Sequence, residues 1–234
     1  LRPLPYPNAD QLVRVWSADQ ATGQRYLETS YQDFRQFKQQ SSSFAAMAAF
    51  SEAPRILRDD RGEPSHITVA RVSDSLFQTL GVTPAPGRDF LPDEYERGGR
   101  SVILSHRLWQ SRYAANPDIL GRTVTIDGAP HTVVGVAPQG YNYPRTADLW
   151  RPLTEAEKQD DDPELSIIAR LAPGMTLDRA DAEVGAIAQR IAQAAASREE
   201  NTRRTAWAQT MQAMVAREVR TPLLVLLSAV ALVL

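Results

Sequence analysis

The sequence predicts an α+β fold, with helices packed on small mixed or antiparallel sheets, and three observations carry that prediction. First, strand-like and helix-like segments alternate irregularly along the chain, without the strict β-α-β-α rhythm of a doubly wound parallel sheet. Second, Thr123 to Ile126 and His131 to Val136 flank Asp127-Gly128, a two-residue hairpin signal. Third, Leu177, Ala180, Val184, Ile187, Ile191 and Ala194 recur at helical spacing, giving one long helix an apolar stripe to bury.

The elements follow in order. Leu1 to Asp10 holds three prolines and is extended, because proline cannot sit inside a helix. Gln11 to Ser17 reads as a strand, and Ala18 to Thr29 as polar turn. Ser30 caps a helix carrying Tyr31, Phe34 and Phe37, with Asp33 in the third position of a variant capping box; Ser41-Ser42-Ser43 ends it. Phe44 to Phe50 suits a strand or a short helix. Ile56 to Arg58 and Ser65 to Val72 are strands around the turn Asp59-Asp60-Arg61-Gly62. Ser73 caps a short helix, Asp74 to Leu80, and Gly81 occupies the position after its end.

Thr83 to Asp93 reads as a proline-rich loop. Ser101 to Leu104 is a short buried strand, and Ser105 caps a helix with Leu108, Trp109 and Tyr113 on one face. Pro138 to Pro144 is an aromatic-bearing loop, Leu149 and Trp150 start an apolar patch, and Glu155 to Glu164 is acidic and exposed. Leu165 to Leu171 is a strand, Thr176 caps the long amphipathic helix, 197–204 is a charged linker, and Ala206 to Val215 contains a last strand.

Leu223 to Leu234 contains no charge. Twelve helical residues rise about 18 Å, whereas a hydrocarbon core needs roughly 20 apolar residues. With Thr221 as N-cap, Pro222 at the first helical position and Arg217 and Arg220 outside, the segment reads as the start of a transmembrane helix that continues beyond residue 234. The alternative is a wholly buried C-terminal helix. Both chain ends read as cuts in a longer protein, and no signal peptide is visible.

Composition narrows function. A net charge of −2 with no basic stripe argues against a nucleic-acid partner. Absence of cysteine removes disulfides, thiolate metal sites and cysteine nucleophiles. His66, His106 and His131 lie far apart and form no metal-binding spacing, so each reads as a surface residue. Asp160-Asp161-Asp162 with Glu164, and Asp93, Glu94 and Glu96 beside Arg97 and Arg100, read as solvated acidic loops rather than calcium or acid/base sites. Trp109, Trp150, Tyr141 and Tyr143 suit core packing better than a ligand groove. No hydrolase elbow or phosphate-binding glycine loop is present. The sequence thus offers no catalytic, cofactor-binding or metal residues.

Six blocks, in order, carry a resemblance. Gly81-Val82-Thr83-Pro84-Ala85-Pro86-Gly87-Arg88-Asp89-Phe90, Val102-Ile103-Leu104-Ser105 with Leu108-Trp109, Gly121 to Gly128 followed by Thr132-Val133-Val134-Gly135-Val136, Asp148-Leu149-Trp150-Arg151-Pro152-Leu153, Arg170-Leu171-Ala172-Pro173-Gly174, and the tail after Val219-Arg220-Thr221-Pro222 together resemble the MacB-like periplasmic core domain of FtsX-like ABC transporter permeases. The version here is most similar to the orphan, duplicated permease type. The resemblance implies a discontinuous porter-like lobe over 1–85 and 153–218, a smaller inserted α/β lobe over 86–152, and a truncated transmembrane helix over 221–234. It implies a bacterial inner-membrane protein with residues 1–218 outside the cytoplasm, and a non-catalytic role that couples ATP-driven helix motion to export. The implied partners are a cytoplasmic ABC ATPase, a second permease half or homodimer, a periplasmic adaptor or outer-membrane duct, and membrane lipid at the C-terminal helix. A periplasmic ligand-binding or sensor module without transport is the alternative.

Overall fold

The computed structural model describes residues 4–58, 63–96, 99–141, 143–159, 164–194 and 204–216. Nine strands form one mixed sheet: β1 Leu12–Asp19, β2 Phe44–Arg58, β3 Ser65–Val72, β4 Ser101–Leu104, β5 Thr123–Ile126, β6 Ala129–Val136, β7 Leu149–Pro152, β8 Ser166–Leu171 and β9 Arg204–Thr210. The helices are α1 Tyr31–Gln40, α2 Leu76–Leu80, α3 Pro92–Glu96, α4 His106–Tyr113, α5 Glu155–Lys158 and α6 Leu177–Ala194. The strand order is β3-β7-β4-β6-β5-β2-β8-β1-β9, and β3 also pairs with β2. This is the α+β architecture expected from the sequence.

β2 organises the molecule. The sequence separates Phe44 to Phe50 from Ile56 to Arg58, but the chain runs through both as one 15-residue strand, about 50 Å long at roughly 3.3 Å per residue. Its first half pairs with β8 from Phe44↔Leu171 to Phe50↔Ser166. Its second half pairs with β3 from Phe50↔Val72 to Leu57↔Ser65, and Leu57 and Arg58 reach β5. Pro54 lies where β3 is the only strand beside β2. A residue without an N–H is tolerated there because no second ladder needs it.

The alternation along the strands assigns each face. Val13 and Val15 of β1, Met47 and Ala49 of β2, Ile167, Ala169 and Leu171 of β8, and Ala206 and Ala208 of β9 point one way. They share a core with Phe34 and Phe37 of α1 and Ala180, Val184, Ile187 and Ala188 of α6. Leu12, Ala48, Phe50 and Ile168 point the other way. They meet Leu76, Phe77 and Leu80 of α2 and the rings of Tyr6, Phe90, Tyr95, Tyr141, Tyr143 and Trp150. Because both faces are covered, β8 reads as a nearly continuous apolar run.

Beyond β8, six strands close on themselves in the order β2-β3-β7-β4-β6-β5 and back to β2. Their inner side chains, including Leu57, Ile67, Val69, Val102, Leu104, Val124, Ile126, Val133, Val136 and Leu149, make an aliphatic core plugged by Leu108 of α4 and Ile119.

Helix starts follow the expected chemistry. Ser30 Oγ accepts from Asp33 N at 3.1 Å, Ser105 Oγ from Leu108 N at 3.1 Å, and Thr176 Oγ1 from Arg179 N at 3.4 Å. Asp127 and Gly128 have φ of 47° and 84°, the left-handed pair that a two-residue hairpin requires.

Several expectations are corrected. Ser73 does not cap α2; it is buried, and its Oγ accepts from Ala49 N of β2 at 2.9 Å. Ser75 occupies the cap position, and Gly81, at φ 69°, terminates the helix as expected. Ala194 is exposed and Ala192 is buried instead. The stretch from Thr83 to Asp93 ends inside α3 rather than in a loop. His131 is buried rather than on the surface, with Nδ1 2.9 Å from Ala129 O, and burial lowers its pKa. Residues 155–158 form α5 rather than open loop.

The expected turn at 59–62, the acidic run 160–162 and the apolar tail 221–234 lie outside the described residues. No helix among the described residues is long and apolar enough to cross a membrane.

Candidate functional site: the end where both chain ends leave the sheet

β1 leaves the N-terminal segment at Leu12, and β9 returns antiparallel to it, with Val13 opposite Thr210 and Asp19 opposite Arg204. The segment before β1 and the helical residues 211–216 therefore leave the sheet at the same end, from adjacent strands. Leu12, Tyr6 and Met211 are buried in one cluster there. At this junction the segment before β1 and residues 211–216 meet the body of the sheet.

One arginine ties it together, and a second is buried beside it on β1. Arg170 of β8 donates from Nε to Thr79 O at 2.8 Å, and from Nη1 to Pro7 O at 3.0 Å and Asn8 O at 3.2 Å. Thr79 O belongs to the last turn of α2, where Gly81 N and Val82 N already serve Gln78 O and Phe77 O and Arg170 serves Thr79 O. The Nη2 of Arg170 is buried without a hydrogen-bond partner. Burial lowers the pKa of Arg170, and Asp10 opposes that shift.

Arg14 of β1 is 6% exposed. It donates to Tyr143 Oη at 2.9 Å and stacks 4.3 Å from the Trp16 ring and 5.3 Å from the Phe50 ring. Both arginines sit among apolar neighbours on strands buried on both faces. That pattern, Leu-Val-Arg-Val-Trp and Ile-Ile-Ala-Arg-Leu, is the sequence signal that pointed to them, and sequence reading passed over it.

The aromatic residues singled out from sequence go to the core. Trp150 is fully buried, and its Nε1 donates to Tyr143 O at 3.1 Å. Tyr141 stacks on Phe77 with centroids 5.3 Å apart and meets Tyr6 and Trp150 edge-on. Its hydroxyl is buried without a partner, and burial raises its pKa. Trp109 packs against the aliphatic ring core and donates to Asn116 O at 2.8 Å. No groove is built from these rings together.

The acidic residues divide in the same way. Glu94 is not solvated: it accepts from Arg88 at 2.8 and 2.9 Å, from Leu91 N at 2.7 Å, and from Ser101 Oγ. Burial alone raises its pKa, but these donors outweigh burial and lower it. Glu157, expected in an exposed stretch, is 23% exposed and gathers Arg151 and Arg71 around it. It also closes a capping box with Thr154. Burial opposes its ionisation, yet Arg151 and Thr154 bring its pKa down to about 2. These contacts join strands to loops and leave no open reactive pair. His66, His106 and His131 are not brought together, and no group of metal-ligating residues occurs among the described residues.

Two of the recognised blocks meet. Gly87 bridges to Gly135 of β6. A Cβ on Gly87 would stand 2.4 Å from Val134 O, and one on Gly135 would stand 2.6 Å from Arg88 O. The glycines are required because one backbone lies against the other.

Comparison with known proteins agrees with this architecture. The macrolide export ATP-binding/permease protein MacB of Burkholderia thailandensis is 30% identical over 91 residues, 38% of this chain and 14% of that protein. The probable syringafactin export ATP-binding/permease protein SyfD of Pseudomonas syringae is 29% identical over 92 residues, 38% of this chain and 14% of that protein. The matches thus span about one-seventh of these relatives' length.

Among solved structures, the periplasmic region of MacB from Actinobacillus actinomycetemcomitans superposes with a TM-score of 0.67 at 12% identity, covering 91% of this chain and 94% of that one. The extracellular domain of the noncanonic ABC-type transporter YknZ from Gram-positive bacteria gives 0.63 at 13% identity, over 85% and 99%. At these identities the likeness is one of fold. The sequence model of the MacB-like periplasmic core domain matches residues 3–187, most of the chain. By that match, which takes in five of the six ordered blocks, and with the shared fold behind it, this chain belongs to the MacB-like periplasmic core domain family.

Proposed function

We propose that residues 1–218 are the extracytoplasmic, non-catalytic domain of an ABC-type permease in a bacterial inner membrane, and that the domain couples ATP-driven motion of membrane helices to export or efflux. The observation that carries this reading is the paired departure of both chain ends from adjacent strands β1 and β9. A domain inserted between two membrane spans needs that geometry. The printed names of the relatives, which join an ATP-binding part to a permease, support a cytoplasmic ABC ATPase as partner.

In this proposal 1–85 and 153–218 form the porter-like lobe, 86–152 the inserted lobe, and 221–234 the start of the second membrane helix in contact with lipid. A second permease half or homodimer completes the membrane part, and an adaptor or outer-membrane duct receives the exported material. The orphan, duplicated permease type belongs to the same proposal. The alternative sensor module drew on the aromatic loop around Tyr141; those rings serve the core, so nothing now favours it.

Protease added to spheroplasts making the full-length permease should cut within residues 10–215 without detergent. Protection of that region until the inner membrane is opened would overturn the reading.

A further inference from the structure

We infer that Arg170 is the positioning residue that makes the segment before β1 and helix α2 move as one piece. The inference rests on the proposed function, in which that segment is attached to a moving membrane helix.

The guanidinium lies between the segment before β1 and the end of α2 and donates to both. Its Nε is spent on Thr79 O, and one Nη1 serves both Pro7 O and Asn8 O. All three acceptors are neutral backbone carbonyls, so the contact is directional rather than a charge pair. The fixed fork of the guanidinium is what allows one side chain to reach two segments at once. Around it, the end of α2 is packed closely: a Cβ on Gly81 would lie 3.4 Å from Arg170 Nη2 and 3.4 Å from the Pro7 ring.

The backbone of Arg170 is itself tied to both neighbouring strands, opposite Leu12 of β1 and Ala46 of β2. A pull on residues 4–11 therefore reaches β1 along the chain, and through Arg170 it also reaches α2. From α2 it passes into β3, which is a wall of the six-stranded ring. Tyr6 and Leu4 also pack the segment into the aromatic cluster, a contact that resists separation, while the arginine's directional hydrogen bonds set the register.

The test uses the full-length permease in membranes, with Pro5→Cys and Gln78→Cys spin-labelled; the present chain contributes no other cysteine. A control pair, Arg35→Cys and Gln189→Cys, spans α1 and α6. In the parent, the Pro5–Gln78 pair gives one narrow distance that stays the same with and without ATP. Arg170→Met loses the narrow peak while the control pair keeps its own, and Arg170→Lys, which keeps the charge but not the fork, falls between the two. An unchanged Pro5–Gln78 distance in Arg170→Met overturns the inference. If Arg170→Met also spreads the control pair, Arg170→Lys decides, and a parent-like distance there overturns it. A peak lost in Arg170→Met, together with a Pro5→Cys and Gln189→Cys pair in the parent whose distance does not respond to ATP, upholds the arginine's role and overturns the transport reading instead.

Discussion

The two ends of β2 lie in differently built regions. Around its second half, six strands close into a ring whose core is aliphatic, and every wall is held by a backbone ladder. Around its first half, the sheet is open and carries α1 and α6 on one face. The other face carries an aromatic cluster, into which Arg14 is packed, and the junction held by Arg170. The ring closes through β5 back onto β2 and so presents no free edge strand among the described residues. The open half has ladders too, β2–β8, β1–β8 and β1–β9, but it ends at β9, and its junction with the segment before β1 is fastened by side-chain contacts that can be removed singly. In the proposed function, the ring is the part that is moved and the junction is where displacement is received.

The sharpest way to break the comparison is to cut the seam between the regions. Trp150→Ala removes a fully buried ring and the Tyr143 hydrogen bond together. A loss of about 4 kcal/mol is expected, read as a fall in the urea unfolding midpoint. An effect on the scale of a surface change would deny that the aromatic cluster joins the two parts.

Gly135→Ala should follow at about 3 kcal/mol, because its Cβ meets backbone that has nowhere to go. Thermal unfolding with Gly135→Ala, Gly87→Ala and the double variant measures this. The double variant should cost less than the sum, because both strain one contact.

Glu157 gives a pH test. Its folded pKa of about 2 lies below the ordinary 4.5. Its contribution is therefore complete above pH 4.5 and is lost as pH falls through about 2. The linkage is worth about 3 kcal/mol at neutral pH. Urea midpoints from pH 6 down to 2 should fall more steeply for the parent than for Glu157→Gln; parallel curves would contradict the assignment.

The smallest effect expected is at a helix cap. Ser105→Ala should cost about 1 kcal/mol, and native-state hydrogen exchange should show the loss at the first amides of α4 without opening β1 or β9.

Much of this fold was legible because its signals are local. Ser30, Ser105 and Thr176 act through the next turn of chain, and Asp127-Gly128 through its own dihedrals, so each could be read without the rest of the molecule. β2 was not legible as one strand, because the reason for its continuity, β8 on one side and then β3 on the other, lies more than a hundred residues away at one end. Ser73 misled for the same reason: a serine before an apolar run is an ordinary cap signal, but here the partner is Ala49, across the sheet. The junction left only a trace in the sequence, a lone arginine in each of two apolar strands, and nothing local to it marks a contact. What those arginines touch, the carbonyls of Pro7, Asn8 and Thr79 and the hydroxyl of Tyr143, is set by tertiary structure. The glycine pair is intermediate. Gly87 and Gly135 stood out within separate blocks, and only the fold explains both by one contact.

The most direct test of the central claim measures depth. In the full-length permease reconstituted in vesicles, fluorophores on Asp10→Cys and Ala213→Cys mark the end where the chain leaves the sheet, and one on Ala129→Cys marks the far hairpin of the ring. Headgroup-quencher lipids should dim both of the first two and leave the third unaffected. Quenching at Ala129, or at only one of the two ends, would contradict a domain rooted in the membrane by β1 and β9 together.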